Sequence, residues 1–523
     1  ALCALLCVSA PAVASAAPAA PYDFNGDGRG DLAVGVPGES VGKQDFAGAA
    51  AVLYSTATGL STTGSQLWSQ DSEGVHGSSE DGDRFASVVA SGDFNGDGRA
   101  DLAVGDPGEA IGSAGEAGAV NVVYGSASGL ASARNQLWSQ SSKGVPDSPE
   151  PGDRFGSSLA AGDLNGDGYA DLVIGVAEES IKGTESAAGT GTGLVEVLYG
   201  SKAGLTSKRA QAWTQQSKGI RGSTEFNDEF GNALATGDVD GDGYADLAVG
   251  VHYENDQAGA VALIRGSKKG LTSKDNQLWS QNSPGVRDTA EPGDLFGESL
   301  AFGDFNHDGR ADLAVGVPGE VVQTCPGSGD EDAECDAQGA VQVLLGTKKG
   351  LTAAGNQLWH VGDPGIPGTV TDVNSFGDRL TSGDFNGDGS ADLAVTAPDA
   401  NVGAVFGGGT VYVLDGSRNG LHANGFVLTQ ATPGVPGDPE TVGGNGMNLA
   451  SRRFGGAYDS LVVGMPGVTV DGQDTAGEVL VVPGSAHGLV PAGTTVLTQD
   501  TPGLADAPED RDRFGEVAGG LER

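Results

Sequence analysis

Six stretches of this chain carry oxygen-bearing side chains at alternate positions, in the form D-x-[ND]-x-D-G-x-x-D-L. The first offers Asp23, Asn25, Asp27 and Asp31, the second Asp93, Asn95, Asp97 and Asp101, and the third Asp163, Asn165, Asp167 and Asp171. The fourth offers Asp238, Asp240, Asp242 and Asp246, the fifth Asp304, Asn306, Asp308 and Asp312, and the sixth Asp384, Asn386, Asp388 and Asp392. Three carboxylates and an amide oxygen so spaced can curl around one hard cation. The backbone carbonyl at the seventh position, that of Arg29, Arg99, Tyr169, Tyr244, Arg310 or Ser390, completes the oxygen shell. Many flexible protein oxygens suit calcium better than the smaller magnesium, so calcium at six sites is the expectation. An EF-hand would need Glu at position twelve and a helix after it, whereas Val34, Val104 and Ile174 stand there inside β-rich runs. A metal-free Asp-Gly hairpin could explain one such loop, but six with their ligands in register point to metal.

Other residues suggest chemistry that their surroundings do not support. Arg29, Gly30 and Asp31 spell an adhesion triplet, yet Asp31 is the ninth-position ligand of the first loop, and the equivalent triplets read Arg99-Ala100-Asp101 and Arg310-Ala311-Asp312. The word is therefore read as a coincidence. Gly38-Glu39-Ser40-Val41-Gly42 satisfies the serine-hydrolase pattern but lies in a loop between strands rather than on a strand-to-helix elbow. The histidines, His76, His252, His307, His360, His422 and His487, fall at different repeat positions and form no cluster, so no catalytic residue is assigned. Cys325 and Cys335 are expected to form a disulfide across one loop, since no second Cys or His pair lies nearby to make a zinc site.

The acidic loops belong to a larger period. RFGSSLAAGDLNGDGYADLVIG recurs with variations, marking units at Phe85, Phe155, Phe230, Phe296 and Phe376. A sixth, irregular unit has Asn445 in the Phe position and a loop without the acidic pattern. A seventh is split: the chain enters inside the acidic loop at Asp23, and the missing first piece, RFGEVAGG, stands at Arg513 to Gly520. Each unit holds four short strand-like runs separated by Gly, Ser and Asn turns. Seven such units, 66 to 80 residues apart, predict an all-β, seven-bladed β-propeller of four-stranded antiparallel blades. Residues 514–520 would complete the first blade and close the ring, covering an otherwise open strand edge. Trp68, Trp138, Trp213, Trp279 and Trp359 share one place in the fourth strand and are expected to pack blade on blade, with Leu428 and Leu497 replacing them in the last two full units.

Composition sets the remaining bounds. With 70 Asp and Glu against 28 Lys and Arg, the chain is too acidic to bind nucleic acid or anionic lipid by charge. Residues 1–16 read as the remnant of a secretory signal peptide, with Ala14 and Ala16 before the cut, and 17–22 as a short segment leading into a single propeller over 23–523. The apolar stretch falls short of the ~20 residues a bilayer requires, and no other segment reads as a membrane span. A secreted, monomeric protein is expected.

With its Phe-Gly pairs, its D-x-[ND]-x-D-G-x-x-D loops and the following VGVPGE (34–39), VGDPGE (104–109) and VGVPGE (315–320), the chain resembles the FG-GAP repeats that form the seven-bladed head of integrin α subunits. The resemblance implies that fold and calcium held by the loop residues named above. It departs at the last loop, around Arg453 to Ser460, and in lacking the other integrin domains. Some proteins of the family are hydrolases resembling glycosylphosphatidylinositol-specific phospholipase D, with the chemistry in a separate domain, and polysaccharide lyases also use calcium-rich propellers. The expected function is a non-enzymatic extracellular binding or adhesion module. Its protein or glycan ligand would meet the face carrying the loops between strands two and three and between strands four and one, where variable loops such as 254–259 sit on a rigid frame. A carbohydrate- or phospholipid-acting hydrolase or lyase, or a ligand-free surface spacer, are the alternatives.

Overall fold

A computed structural model of the chain describes residues 20–181, 191–322, 337–368, 375–441 and 446–518. The signal-like residues 1–16, Cys325, Cys335 and Asn445 lie outside these described residues. The strands assemble into seven four-stranded antiparallel sheets and one two-stranded hairpin. The chain is an all-β seven-bladed propeller.

The second blade shows how the sequence makes the unit. Its strands are Val88–Gly92, Asp101–Asp106, Ala119–Ser126 and Gly129–Trp138, running from the inside outward. The second strand is buried along its whole length, because in the ring both of its faces meet neighbouring blades. A continuous Leu-Ala-Val-Gly run suits that position, where an alternating pattern would bury polar side chains. The outer strand exposes Ala133 and Arg134 to solvent, turns Asn135 inward to donate to Val122 O at 2.9 Å, and ends on Trp138.

The core lies between blades rather than within them. Val120 and Val122 of the second blade pack against Leu172, Ile174 and Val176 of the third, around Phe155, with Trp138 against the cluster. Phe85, Phe155, Phe230, Phe296, Phe376 and Phe514 are all fully buried. Close approach of backbone explains one recurrent glycine: Gly118 has φ +84°, and a Cβ there would stand 2.4 Å from the Phe155 nitrogen.

The ring closes as the split unit requires. Val517–Ala518 is the innermost strand of the first sheet, pairing antiparallel with Leu32–Val36 through Val34↔Ala518 and Gly35↔Val517. Phe514 joins a cluster that mixes Leu32, Val34 and Val36 with Val462, Val479 and Val481 of the seventh blade. The folded core also takes in Tyr22, the residue before the first acidic loop, which is fully buried and whose N–H donates to Ser91 Oγ at 3.0 Å. The seventh blade is the irregular one. Its outer strand shrinks to Thr495–Leu497 after a 3-10 turn at Pro491–Gly493, where proline removes a ladder donor.

Because successive strands are antiparallel, the loops between first and second strands leave one face of the ring, and those between second and third leave the other. The acidic loops therefore share one face. The variable loops and the connections between blades share the opposite one.

Candidate functional sites on two faces

Each acidic loop is an Asx-cradled turn. In the second, Asp93 Oδ1 accepts the N–H groups of Gly96 and Asp97 at 2.7 and 3.1 Å, and Oδ2 accepts that of Gly98 at 2.9 Å. Asp97 Oδ1 accepts the Arg99 N–H at 3.1 Å. Asp163, Asp238, Asp304, Asp384 and Asp23 hold their loops through equivalent bonds from the fifth and sixth residues.

The ninth-position aspartate sits beneath the turn. Asp101 is fully buried, with Oδ2 accepting the Phe94 N–H at 3.0 Å and Oδ1 that of Gly125 at 2.9 Å. Asp31, Asp171, Asp312 and Asp392 are equally buried, and Asp246 is 1% exposed. Burial is the main cause that lifts Asp31, Asp246 and Asp312 to about 7 and Asp171 and Asp392 to about 8. The neighbouring loop carboxylates push the same way. These are carboxylates held next to other carboxylates away from water, an arrangement that a bound cation relieves.

The third-position amide is what now faces the ninth aspartate. Asn95 Nδ2 lies 3.1 Å from both Asp101 oxygens and Asn165 Nδ2 likewise contacts both oxygens of Asp171, whereas Asn306 and Asn386 donate to Oδ1 of Asp312 and Asp392 at 3.2 Å. In the fifth loop, Asn306 Oδ1 and Asp312 Oδ2 are buried without a hydrogen-bond partner among the described residues. Turning such an amide by half a revolution exchanges a donor for an oxygen. The donor set thus fits a hard cation: three carboxylates, an amide oxygen and the carbonyl of Arg29, Arg99, Tyr169, Tyr244, Arg310 or Ser390.

The fourth loop differs in a paired way that sequence reasoning missed. Asp240 replaces the amide, and Arg265 stands where Tyr54, Tyr124 and Tyr199 stand in the first three blades. The Arg265 guanidinium contacts Asp240 and reaches Asp246 Oδ1 at 3.2 Å. The added negative charge meets an added positive one, so the site keeps the net charge of its siblings. Asp238, Asp240 and Asp246 bring three carboxylate oxygens within 4.8 Å of one another. The loop of the seventh blade follows the opposite route. Arg453 occupies the first-position slot, and its Nε lies 3.0 Å from Asp459 Oδ1, so a guanidinium stands where the other loops gather carboxylates.

The remaining sequence features resolve by burial. Both Asp31 oxygens are taken, by the Phe24 N–H at 3.1 Å and the Ser55 N–H at 2.8 Å, so the Arg-Gly-Asp carboxylate is inaccessible to a receptor. Ser40 lies in a turn bridged by Val41 and Gln44, with no helix after it. His252 alone among the histidines is buried, its Nδ1 2.9 Å from Asn232 Nδ2 and its Nε2 3.5 Å from Glu229. Desolvation lowers its pKa, which marks a packed imidazole rather than a charged one.

A second repeated constellation occupies the opposite face. Gln70, Gln140, Gln215 and Gln281 donate Nε2 to Glu109, Glu179, Glu254 and Glu320 of the following blade at 2.5, 2.8, 2.5 and 2.5 Å, and Gln499 donates to Glu39 across the seam at 2.9 Å. The first four pairs are each 39 residues apart. At that same separation the fifth and sixth blades put buried Val361 and Ala400, replacing a polar pair by an apolar one. The three large apolar side chains exposed among the described residues, Phe226, Val321 and Phe406, also lie on this face.

The FG-GAP repeat family model matches residues 16–53, 85–123, 155–195, 230–264, 296–344 and 376–414. Integrin alpha pat-2 of Caenorhabditis elegans is 32% identical over 279 residues, 48% of this chain and 20% of its own. The phosphatidylinositol-glycan-specific phospholipase D of Rattus norvegicus is 35% identical over 176 residues, 33% of this chain and 19% of its own. The chain thus spans about a fifth of the length of the curated relatives it matches. A rhamnogalacturonan lyase structure from Bacillus licheniformis aligns over 79% of this chain and 67% of its own at 12% identity, but with a TM-score of 0.30 it carries no argument.

Proposed function

This chain belongs to the FG-GAP repeat family, and from that premise we propose that it is an extracellular binding or adhesion module, a propeller stabilised by calcium in six loops on one face and presenting the other face to a protein or glycan. The observation that carries the binding face is the placement of Phe226, 59% exposed, Phe406, 81% exposed, and Val321, 47% exposed, on the loops between second and third strands and the connections between blades. Exposed aromatic chains on loops held by a rigid frame supply contact area with little ordering cost. No described helix is long and apolar enough to cross a membrane.

The loops do a structural task in this reading. A cation bound to Asp93, Asp97, Asp101, the turned amide of Asn95 and the Arg99 carbonyl would neutralise carboxylates that now oppose one another, and binding to the folded state alone adds stability by mass action. What this chain's residues contribute is the cradle: backbone N–H groups of positions four to six fix the first aspartate, and the N–H groups of Phe94 and Gly125 aim the ninth.

The test is a glycan array and a cell-wall pulldown with calcium present, using the parent chain and a Phe226→Ser, Phe406→Ser double variant. Retention by the parent that is lost in the variant, with unchanged melting, supports the reading. Equal retention by both overturns the face. Turnover of a soluble glycan or phospholipid panel would move the chain to the hydrolase or lyase class.

A further inference from the structure

We propose that the junction between the first and second blades holds a cation site of a second kind, in which Asp83, Asp106 and Glu109, with the amide oxygen of Gln70, bind one divalent ion such as calcium on the face opposite the acidic loops. It does not depend on the reading of those loops.

Asp106 is the residue that requires explanation. It ends the second strand of its blade, in register with Ala119. In the other blades that register position is Val36, Val176, Val251, Val317, Ala397 or Met465, all buried in apolar clusters. Here a carboxylate fills the slot of an apolar side chain, is fully buried, and neither oxygen has a hydrogen-bond partner among the described residues. A buried charge without a partner is among the costliest features a fold can carry.

What surrounds Asp106 is more negative charge. Single oxygens of Asp83, Asp106 and Glu109 lie within 4.8 Å of one another. That span suits one ion at the calcium–oxygen distance of about 2.4 Å. Gln70, 2% exposed, donates Nε2 to Glu109 Oε2 at 2.5 Å while its Oε1 has no partner among the described residues. Asp83 accepts the Glu80 N–H at 2.6 Å through Oδ2. No Lys or Arg among the described residues forms an ion pair with any of the three acids. Burial first, then Asp83, Glu109 and Glu80, push the Asp106 carboxyl well above the ordinary carboxylate range. Similar acidic groups at three other junctions, such as Asp147, Glu150 and Glu179, include exposed members and have Val at the Asp106 position.

The experiment counts bound calcium by plasma emission spectrometry after dialysis of the full chain, of Asp106→Val, of the loop variant Asp97→Ala, and of the double variant. Loss of one ion in each single variant and two in the double is the expected result, and it separates this site from the loops. Melting follows in parallel: Asp106→Val should melt above the parent in chelator, with that advantage shrinking or reversing in calcium. An Asp106→Val protein that binds as many ions as the parent, or whose advantage is the same in calcium and chelator, overturns the site and leaves a protonated buried carboxyl. Should Asp106→Val fail to fold, Asp106→Asn, of nearly the same volume, gives the count, and an unchanged count refutes the proposal equally.

Discussion

Replacing Phe514 by alanine attacks the ring at its seam. The side chain is fully buried between the seventh and first blades, among Leu32, Val34, Val462 and Val479, and its backbone N–H donates to Ala476 O at 2.8 Å. Removing a buried phenyl ring costs about 3–5 kcal/mol through lost transfer energy and the cavity left behind. Phe155→Ala, at the corresponding place inside the ring, should cost the same by that argument. The two differ in what they release. Phe155 is followed by a strand continuous with its own blade, whereas Phe514 anchors Val517–Ala518, a two-residue strand otherwise held to the first blade by its short pairing with Val34 and Gly35 and by backbone bonds such as that of the Gly515 N–H to Gly35 O at 3.1 Å. Amide exchange along Leu32–Val36 should therefore accelerate in Phe514→Ala far beyond the change at Asp171–Val176 in Phe155→Ala. A chain truncated before Arg513 should lose the phenyl contribution and the seam bonds together. Urea unfolding followed by tryptophan fluorescence gives the magnitude, and exchange mass spectrometry gives the place. A truncated protein that unfolds like the parent, or a Phe514→Ala cost below 1 kcal/mol, on the scale of an ordinary surface change, would refute closure by the C-terminal strand.

Glu196, fully buried with both oxygens unpartnered among the described residues, is lifted to about 9 from 4.5 by burial first and then by Asp147 and Glu179. Its folded pKa is raised, so its contribution is intact below pH 4.5 and is lost as pH rises towards about 9, at about 1.4 kcal/mol per pH unit. Glu196→Gln should remove that slope and stabilise the protein by about 3 kcal/mol at pH 7, with little effect at pH 4.5. Gln342 at the same register position shows the bonds available, to Val343 O and Gln357 O at 3.3 and 2.8 Å; a stability difference that does not vary with pH would defeat this prediction. Asp31→Asn should lower calcium-dependent stability, while Arg29→Ala, which removes only an ion pair to Asp27 whose partners are 31% and 34% exposed, should change it by less than about 1 kcal/mol. Equal losses in the two melting curves would contradict that assignment. Asp459→Ala should leave the bound-calcium count untouched, since Arg453 already supplies the positive charge there; a lower count would show that the seventh loop binds an ion.

The sequence made the propeller legible because the repeat writes its strands, turns and Phe-Gly pairs in register, and it made the loops legible because ligand spacing along one turn is local. Contacts between blades were harder to see. The Gln–Glu pairs join residues 39 apart on neighbouring blades, and only their recurrence, broken by Val361 and Ala400, marks them as partners. Arg265 was missed because its partner Asp240 lies on a different hairpin of the same blade, although both residues depart from their siblings. Burial of Asp106 and Glu196 was equally hidden: a carboxylate in a strand looks like a solvated face until the neighbouring blade covers it. The short outer strand of the seventh blade has a local cause in Pro491, which breaks the ladder within an otherwise regular repeat.

The central claim is that the six acidic loops hold calcium, and the most direct measurement is the number of calcium ions per chain in the Asp106→Val background, where the junction between the first two blades cannot contribute. The account predicts six ions after dialysis, five when Asp97→Ala is added, and a melting temperature that falls sharply on chelation. A count near zero, or a melting temperature indifferent to chelator, would contradict it.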